Sequence, residues 1–212
     1  MIDFKEDYQE YYQAKKKPSI VNMPKVNYIA VYGQGDPCPS DSEYRLSFKK
    51  LEQVTNTIRS AKKNGKKIAG FEEYNMPPRE SLWWKEIGAG EFDYDKLNWI
   101  AMLRAPSFVT EDVLEWAKEQ TEKEKKQSYS SVELFTYDEG MSVQCLHTGT
   151  QREIFKTVHI LQEYLAEIGF CINFENGVHH EVQMRDEERV KPENMRVIVR
   201  YPIRSVQTEE GD

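Results

Sequence analysis

The chain has few of the residue patterns that usually declare a protein's chemistry. Its three cysteines, Cys38, Cys145 and Cys171, are widely spaced and odd in number, with no Cys-x-x-Cys among them. Neither a zinc site nor a disulfide framework is indicated, and reduced thiols in a cytoplasmic protein are expected. No stretch approaches the length of a transmembrane helix. The first residues, Met-Ile-Asp-Phe-Lys-Glu-Asp, carry charge where a signal peptide needs an apolar core. Basic residues are not in excess: 29 Lys and Arg face 36 Asp and Glu, a net charge of -7. Without a dense basic stripe, that balance argues against nucleic acid as a direct partner and offers nothing for a membrane surface. Gly-x-Ser-x-Gly, a Walker loop and a dinucleotide fingerprint are all absent, and Gly33-Gln-Gly35 lacks a third glycine. No cofactor is called for.

What is present is a globular composition, 39% hydrophobic and 31% charged, and an order of elements that occurs twice. Val26 to Gly33 alternates as a strand and breaks at Gly33-Gln-Gly35. Ser40 to Glu43 reads as a capping box before a helix on Tyr44, Phe48, Leu51, Thr55 and Ile58, ending near Asn64-Gly65. A strand near 81–86, a loop over 87–96 and a return strand at Trp99 to Leu103 close on Arg104-Ala-Pro106. Thr110 caps a second helix, and the polar run Glu119 to Lys126 reads as its solvated end and a linker. Val132 to Tyr137 then opens a second copy, with Met141 to His147 after the turn at Asp138-Glu-Gly140. A helix follows on Ile154, Val158, Leu161, Leu165 and Ile168, stopped by Gly169. Val178 to Arg185 and Met195 to Tyr201 form the closing hairpin, joined by the charged loop 186–194 and ending in Arg200-Tyr-Pro202.

Short hairpins favour antiparallel pairing over a parallel βαβ sheet. The expected fold is therefore α+β: tandem pseudo-twofold βαββ repeats, about 18–126 and 127–204, forming a mainly antiparallel sheet. Helices would cover one face and a ligand cleft would occupy the other. Neither half alone buries a large core, so residues 1–204 are read as one domain. Residues 1–17 would be an arm, either a docked short helix or a loose segment, and 205–212 a disordered tail.

The halves differ in one respect. The second carries His179-His180-Glu181 on a strand, and the first has no carboxylate flanked by histidines. Along that strand Val178, His180, Val182 and Met184 share one side and read as core-facing, while His179, Glu181, Gln183 and Arg185 share the other. If helices cover the first side, Glu181 points into the groove between the halves; otherwise it is an ordinary surface carboxylate. Adjacent histidines on a strand point to opposite faces, so no metal site is expected. His147 and His159 read as structural. With 12 Tyr, 9 Phe and 4 Trp, the chain can also wall a pocket, and Phe71, Tyr74, Trp83, Trp84, Trp99, Phe135 and Tyr137 all lie in or beside strands. Aromatic walls with one acid suit a flat aromatic or polarised small molecule.

Several segments together resemble the stand-alone GyrI-like small-molecule-binding proteins, bacterial relatives of the effector-binding domains of multidrug-responsive regulators. They are Tyr28-Ile-Ala-Val-Tyr-Gly-Gln-Gly35, Pro77-Pro78 leading to Leu82-Trp83-Trp84, Asn98-Trp99-Ile100, Phe135-Thr-Tyr-Asp-Glu-Gly140, Gln144-Cys-Leu-His147, His179-His180-Glu181 and Val199-Arg-Tyr-Pro202. The resemblance covers nearly the whole chain. It implies two βαββ units with a cleft between them and matches Glu181 to the family's central pocket glutamate. Some stand-alone members hydrolyse cyclopropane-bearing DNA-alkylating compounds and so detoxify them. On that reading Glu181 positions or deprotonates the attacking water. Tyr137 donates to the carbonyl oxygen that gains charge as the ring opens. Trp84, Trp99, Tyr74 and Phe71 clamp the flat ligand, with His179 beside Glu181. Two other readings stay open: a non-catalytic module that sequesters or senses a ligand, and a gyrase-inhibitor-like partner protein. No DNA-binding helix-turn-helix is visible.

Overall fold

A computed structural model describes residues 1–84, 96–173, 178–185 and 190–206. The loop expected over 87–96, the charged loop over 186–194 and the tail beyond 204 lie at least in part outside the described residues. The chain forms two compact units, Met1–Tyr8 with Lys25–Tyr137 and Gln9–Pro24 with Asp138–Asp212. The described residues form an α+β protein with nine strands and five α-helices.

In the first unit, β2 (Val26–Gln34), β3 (Arg79–Trp84), β4 (Asn98–Arg104) and β5 (Glu133–Tyr137) lie in the order β3-β4-β2-β5, every pair antiparallel. The helix α3 (Glu43–Arg59) buries Tyr44, Phe48, Leu51, Val54, Thr55 and Ile58, which recur at helical spacing. Its Tyr44 hydroxyl meets Ser81 Oγ at 2.7 Å, so α3 lies on the face shared by Ser81, Trp83 and Trp99. Directly opposed residues in an antiparallel ladder share a face, so Tyr28, Glu80, Trp84 and Met102 belong to the other side. The first α-helix, α1 (Phe4–Asp7), is capped by Asp3 and buries Phe4.

The second unit holds α2 (Gln9–Tyr12), β1 (Ser19–Met23), β6 (Gly140–Thr148), α5 (Ile154–Glu167), β7 (Phe170–Ile172), β8 (His179–Gln183) and β9 (Arg196–Ser205). Its strands run β1-β6-β9-β8, with β7 on the far end of β9. The helix α5 packs through Ile154, Leu161 and Leu165 onto Val143, Cys145, Val199 and Tyr201. Each of these apolar side chains contributes about 2 kcal/mol on burial.

Three sequence expectations change, and a fourth gains a strand. The helix cap is Ser42, whose Oγ accepts from Arg45 N at 3.3 Å, two residues later than the box expected at Ser40. The run Glu119 to Lys126 is no linker: α4 (Glu111–Lys125) continues through it because Thr121 is fully buried, its Oγ1 meeting Thr57 Oγ1 at 2.7 Å. The strand expected to open the second copy, β5, pairs with β2 of the first unit. Residues 1–17 dock, and the chain after Pro18 adds the unforeseen strand β1 along β6.

The face of the second sheet away from α5 carries charge. Arg200 is 1% exposed and lies opposite both His180 and Gln144. His180 Nδ1 lies 3.0 Å from Glu139 Oε2, and Arg200 Nη1 reaches the same oxygen at 3.5 Å. Gln144 Oε1 accepts from Arg200 Nη2 at 2.9 Å, and the Tyr11 carbonyl accepts from Nη2 at 2.6 Å. Burial pushes the Glu139 carboxyl up, but His180 and Arg200 outweigh it and hold it below its ordinary value.

Two stability predictions follow from this packing. A carboxylate held below its usual range stabilises the fold above that range and loses the effect as pH falls through its lowered value. Glu139→Gln should cost about 3 kcal/mol near neutral pH in urea unfolding, because it leaves Arg200 short of a buried counter-charge. The deficit should shrink in acid, and a pH-independent difference would contradict the assignment. A methyl group at Gly33 would lie 2.2 Å from the Trp99 ring. Gly33→Ala should therefore cost about 1–3 kcal/mol by overpacking, read from the same unfolding curves, and wild-type stability would show that the ring has room to move.

Candidate functional site

Glu181 occupies the middle of β8, and the structure reverses the face assigned to it. It lies opposite Val199, and Val199 packs under α5, so Glu181 is on the helix-covered side of its sheet. His180 and Val182, expected to face the helices, take the other side, where His180 enters the ion cluster with Glu139 and Arg200. The cause is the partner strand. Val199 and Tyr201 on β9 are drawn to the apolar face of α5, and pairing register then fixes which way Glu181 turns.

Glu181 is 7% exposed. Its Oε1 lies 2.7 Å from His179 Nε2. His179 Nδ1 is in turn bonded to the Tyr201 hydroxyl, and the two rings meet edge to face with centroids 5.0 Å apart. Burial, aided by the Glu181 charge, raises the Tyr201 phenol well above its ordinary value, so it stays protonated and donates. An ionised carboxylate only accepts, so Nε2–H donates to Glu181, and in the neutral imidazole the Tyr201 O–H then donates to Nδ1. Glu181 Oε2 has no hydrogen-bond partner among the described residues. The arrangement is an oriented carboxylate with one oxygen free to bind a water or a ligand cation.

The aromatic residues do not form one group. Trp84 lies opposite Asn98 and Trp99 opposite Trp83, so Trp84 and Trp99 point to opposite faces of the first sheet. They cannot clamp the same flat ligand between them. Trp99 is fully buried, seated on Gly33 and edge-on to Tyr44. Its indole N–H and that of Trp83 are buried without hydrogen-bond partners among the described residues. Trp84 shares the face of that sheet away from α3 with Glu80, Tyr28, Phe135 and Tyr137. There the Tyr28 hydroxyl donates to Glu80 Oε2 at 3.4 Å, and Phe135 stacks on Tyr137 at 5.9 Å.

Phe71 and Tyr74 belong to another cluster, with Phe108 between them and Phe4 against Tyr74. Arg59 Nε donates to the Tyr74 carbonyl at 2.8 Å, and burial raises the Tyr74 phenol. Tyr137, Phe71, Tyr74, Trp84 and Trp99 are in the first unit, while His179 and Glu181 are in the second. Of the residues singled out from sequence, the structure joins His179 to Glu181 directly. Tyr201 completes the relay and escaped notice because it stands in the Arg-Tyr-Pro motif, read only as a strand ending. Its signal was positional: residues 179 and 201 pair across a predicted hairpin. Among the described residues no three His, Cys, Asp or Glu side chains gather to hold a metal ion, and no helix is long and apolar enough to cross a membrane.

No family model and no curated protein sequence matches the chain. Among solved structures, a hydrolase from Listeria innocua is 32% identical, with a TM-score of 0.87 over 96% of this chain and 100% of its own. A second Listeria innocua hydrolase structure is 34% identical, with a TM-score of 0.88 over 96% of this chain and 99% of its own. The EcmrR C-terminal domain, at 9% identity and a TM-score of 0.53 over 90% of this chain and 98% of its own, shares the fold alone. At this identity, over nearly the full length of both chains, the protein belongs to the family of these Listeria hydrolases, the stand-alone GyrI-like small-molecule-binding proteins.

Proposed function

We propose that the protein binds a small polarised molecule and hydrolyses it, the substrate being a cyclopropane-bearing DNA-alkylating compound. The observation that carries this reading is the Tyr201–His179–Glu181 relay, with one carboxylate oxygen engaged by His179 and the other open. The Listeria relatives described as hydrolases support the reaction class, and the resemblance to cyclopropanoid hydrolases supplies the substrate class. Glu181 takes a proton from water, and the resulting hydroxyl oxygen bonds to a cyclopropane carbon. The strained carbon–carbon bond breaks, and its electron pair passes into a conjugated carbonyl as an enolate, which then takes up a proton. Donation from His179 holds the carboxylate in one rotamer, so little reorganisation is needed as the water is activated. The two βαββ repeats suggested by the sequence have the same element order in this reading. Each begins with a strand, β2 or β6, that pairs with the last of its unit's hairpin strands, β4 or β9.

A spirocyclopropane alkylator incubated with the protein, with the hydrated product followed by mass spectrometry, tests the reading. Glu181→Gln should lower turnover about 100-fold or more, the usual range for a lost general base, while keeping ligand binding. Tyr201→Phe removes the donor to His179 and should lower kcat about tenfold with little change in KM, in line with a positioning role. Unchanged turnover in Glu181→Gln removes that residue from the chemistry. Saturable binding with no product at any pH favours a sequestering module.

A further inference from the structure

Opening a cyclopropane onto a conjugated carbonyl leaves negative charge on the carbonyl oxygen. Catalysis gains most when a hydrogen-bond donor is in place before that charge arrives. The relay supplies none, because His179 Nε2–H is turned to Glu181 and the Tyr201 hydroxyl to His179. Tyr137, which the family resemblance assigns to this role, belongs to the first unit, whereas Glu181 belongs to the second. We propose that Gln183 is the donor: its side-chain N–H bonds the substrate carbonyl oxygen while Glu181 activates the attacking water. This rests on the hydrolytic reading above and adds a catalytic residue to it.

The sheet narrows the choice to this residue. Alternate side chains of a strand share a face, so Gln183 stands beside Glu181, about 7 Å further along β8 and on the side opposite His179. Gln183 pairs with Val197 and Val197 with His147, whose Nδ1 lies 2.8 Å from Thr157 Oγ1 on α5. This row therefore lies under the helix, as Glu181 does. On the same face the β9 residues Val197, Val199 and Ile203 and the β6 residues Met141 and Val143 are apolar. Cys145 Sγ donates to the Lys16 carbonyl at 2.9 Å. The second ring nitrogen of His147 is also engaged, lying 3.0 Å from the Thr150 carbonyl. Arg185 lies past the end of β8 and is exposed. Among the described residues, Gln183 is the one side-chain amide on this face of β6, β8 and β9. It is 7% exposed, like Glu181. Burying an amide costs free energy unless its polar atoms are bonded. Its nitrogen carries two hydrogens, so a partner within the protein leaves one for a ligand. An amide is also neutral. Beside Glu181 it stabilises developing negative charge without pairing with the base, whereas a lysine or arginine there would hold the carboxylate as an ion pair and weaken it as a base.

The test pairs kinetics with infrared spectroscopy on the full chain. The substrate is a spirocyclopropyl cyclohexadienone, and the inert probe is the dienone with two methyl groups in place of the cyclopropane. Gln183→Met keeps the length of the side chain and removes its donor. In that variant kcat and kcat/KM should fall together, about 100-fold, the pattern of a contact made chiefly in the transition state. The carbonyl stretch of the bound probe should lie at lower frequency in the wild type and in Glu181→Gln than in Gln183→Met. An amide that only supports the fold would not move that band. Gln183→Glu stays polar but only accepts when ionised, and it should show the same two changes if Gln183→Met does not fold. Unchanged kcat in the folded variant, or equal carbonyl frequencies in variant and wild type, overturns the proposal. A band that depends on Gln183, with no product from the wild type, keeps the donor and overturns the hydrolytic reading instead.

Discussion

A guanidinium group almost without access to water must find its acceptors inside the protein, and Arg200 finds them on three residues from two parts of the chain. Glu139 precedes β6, Gln144 lies within it, and the Tyr11 carbonyl comes from the N-terminal segment. Leaving such a group unsatisfied costs far more than making its bonds gains. The α5-free face of the second sheet could therefore not be left open. The N-terminal segment is held there because its backbone completes the shell of a buried cation, and Tyr12 seals it at 2% exposure.

This constraint also divides the labour of β8. Its two faces carry opposite kinds of polarity. Toward α5, Glu181 and His179 form a short relay ending in a phenol, with one carboxylate oxygen left over. Away from α5, His180 is held in a buried network that contains both a carboxylate and a guanidinium. Two adjacent histidines thus have unlike partners, one the Glu181 carboxylate and the Tyr201 phenol, the other the Glu139 carboxylate beside Arg200. Strand alternation puts the two on opposite faces of β8.

Much of this was readable from periodicity. The apolar steps of α3 and α5, the strands β2, β8 and β9, and the Gly169 stop all follow patterns local enough to register in one stretch of sequence. What failed were features decided by distant partners. The side to which Glu181 turns depends on whether Val199 or Arg200 faces the helix. The polar β8 sequence cannot decide this, whereas Val143 and Cys145 on β6, flanking Gln144, carry the answer. The length of α4 was hidden for a similar reason: Thr121 is polar in sequence but buried by its bond to Thr57. The expected aromatic clamp broke down on register, because Trp83 and Trp84 necessarily face opposite ways and Trp99 pairs with Trp83.

The Arg200 to Tyr11 bond joins residues 189 positions apart. On a translating ribosome residues 9–24 emerge well before β9, so the Tyr11 carbonyl has no donor until β9 has left the exit tunnel. Until then residues 9–24 have only part of their eventual sheet to bind, and the nascent second unit exposes an uncovered, partly apolar strand face. Completion of that unit thus waits on the synthesis of β9, and closing so long a loop carries an entropic cost. A chain released early would lack β9, the strand that both β6 and β8 pair with, and is the form of this protein most exposed to aggregation and to quality-control proteases.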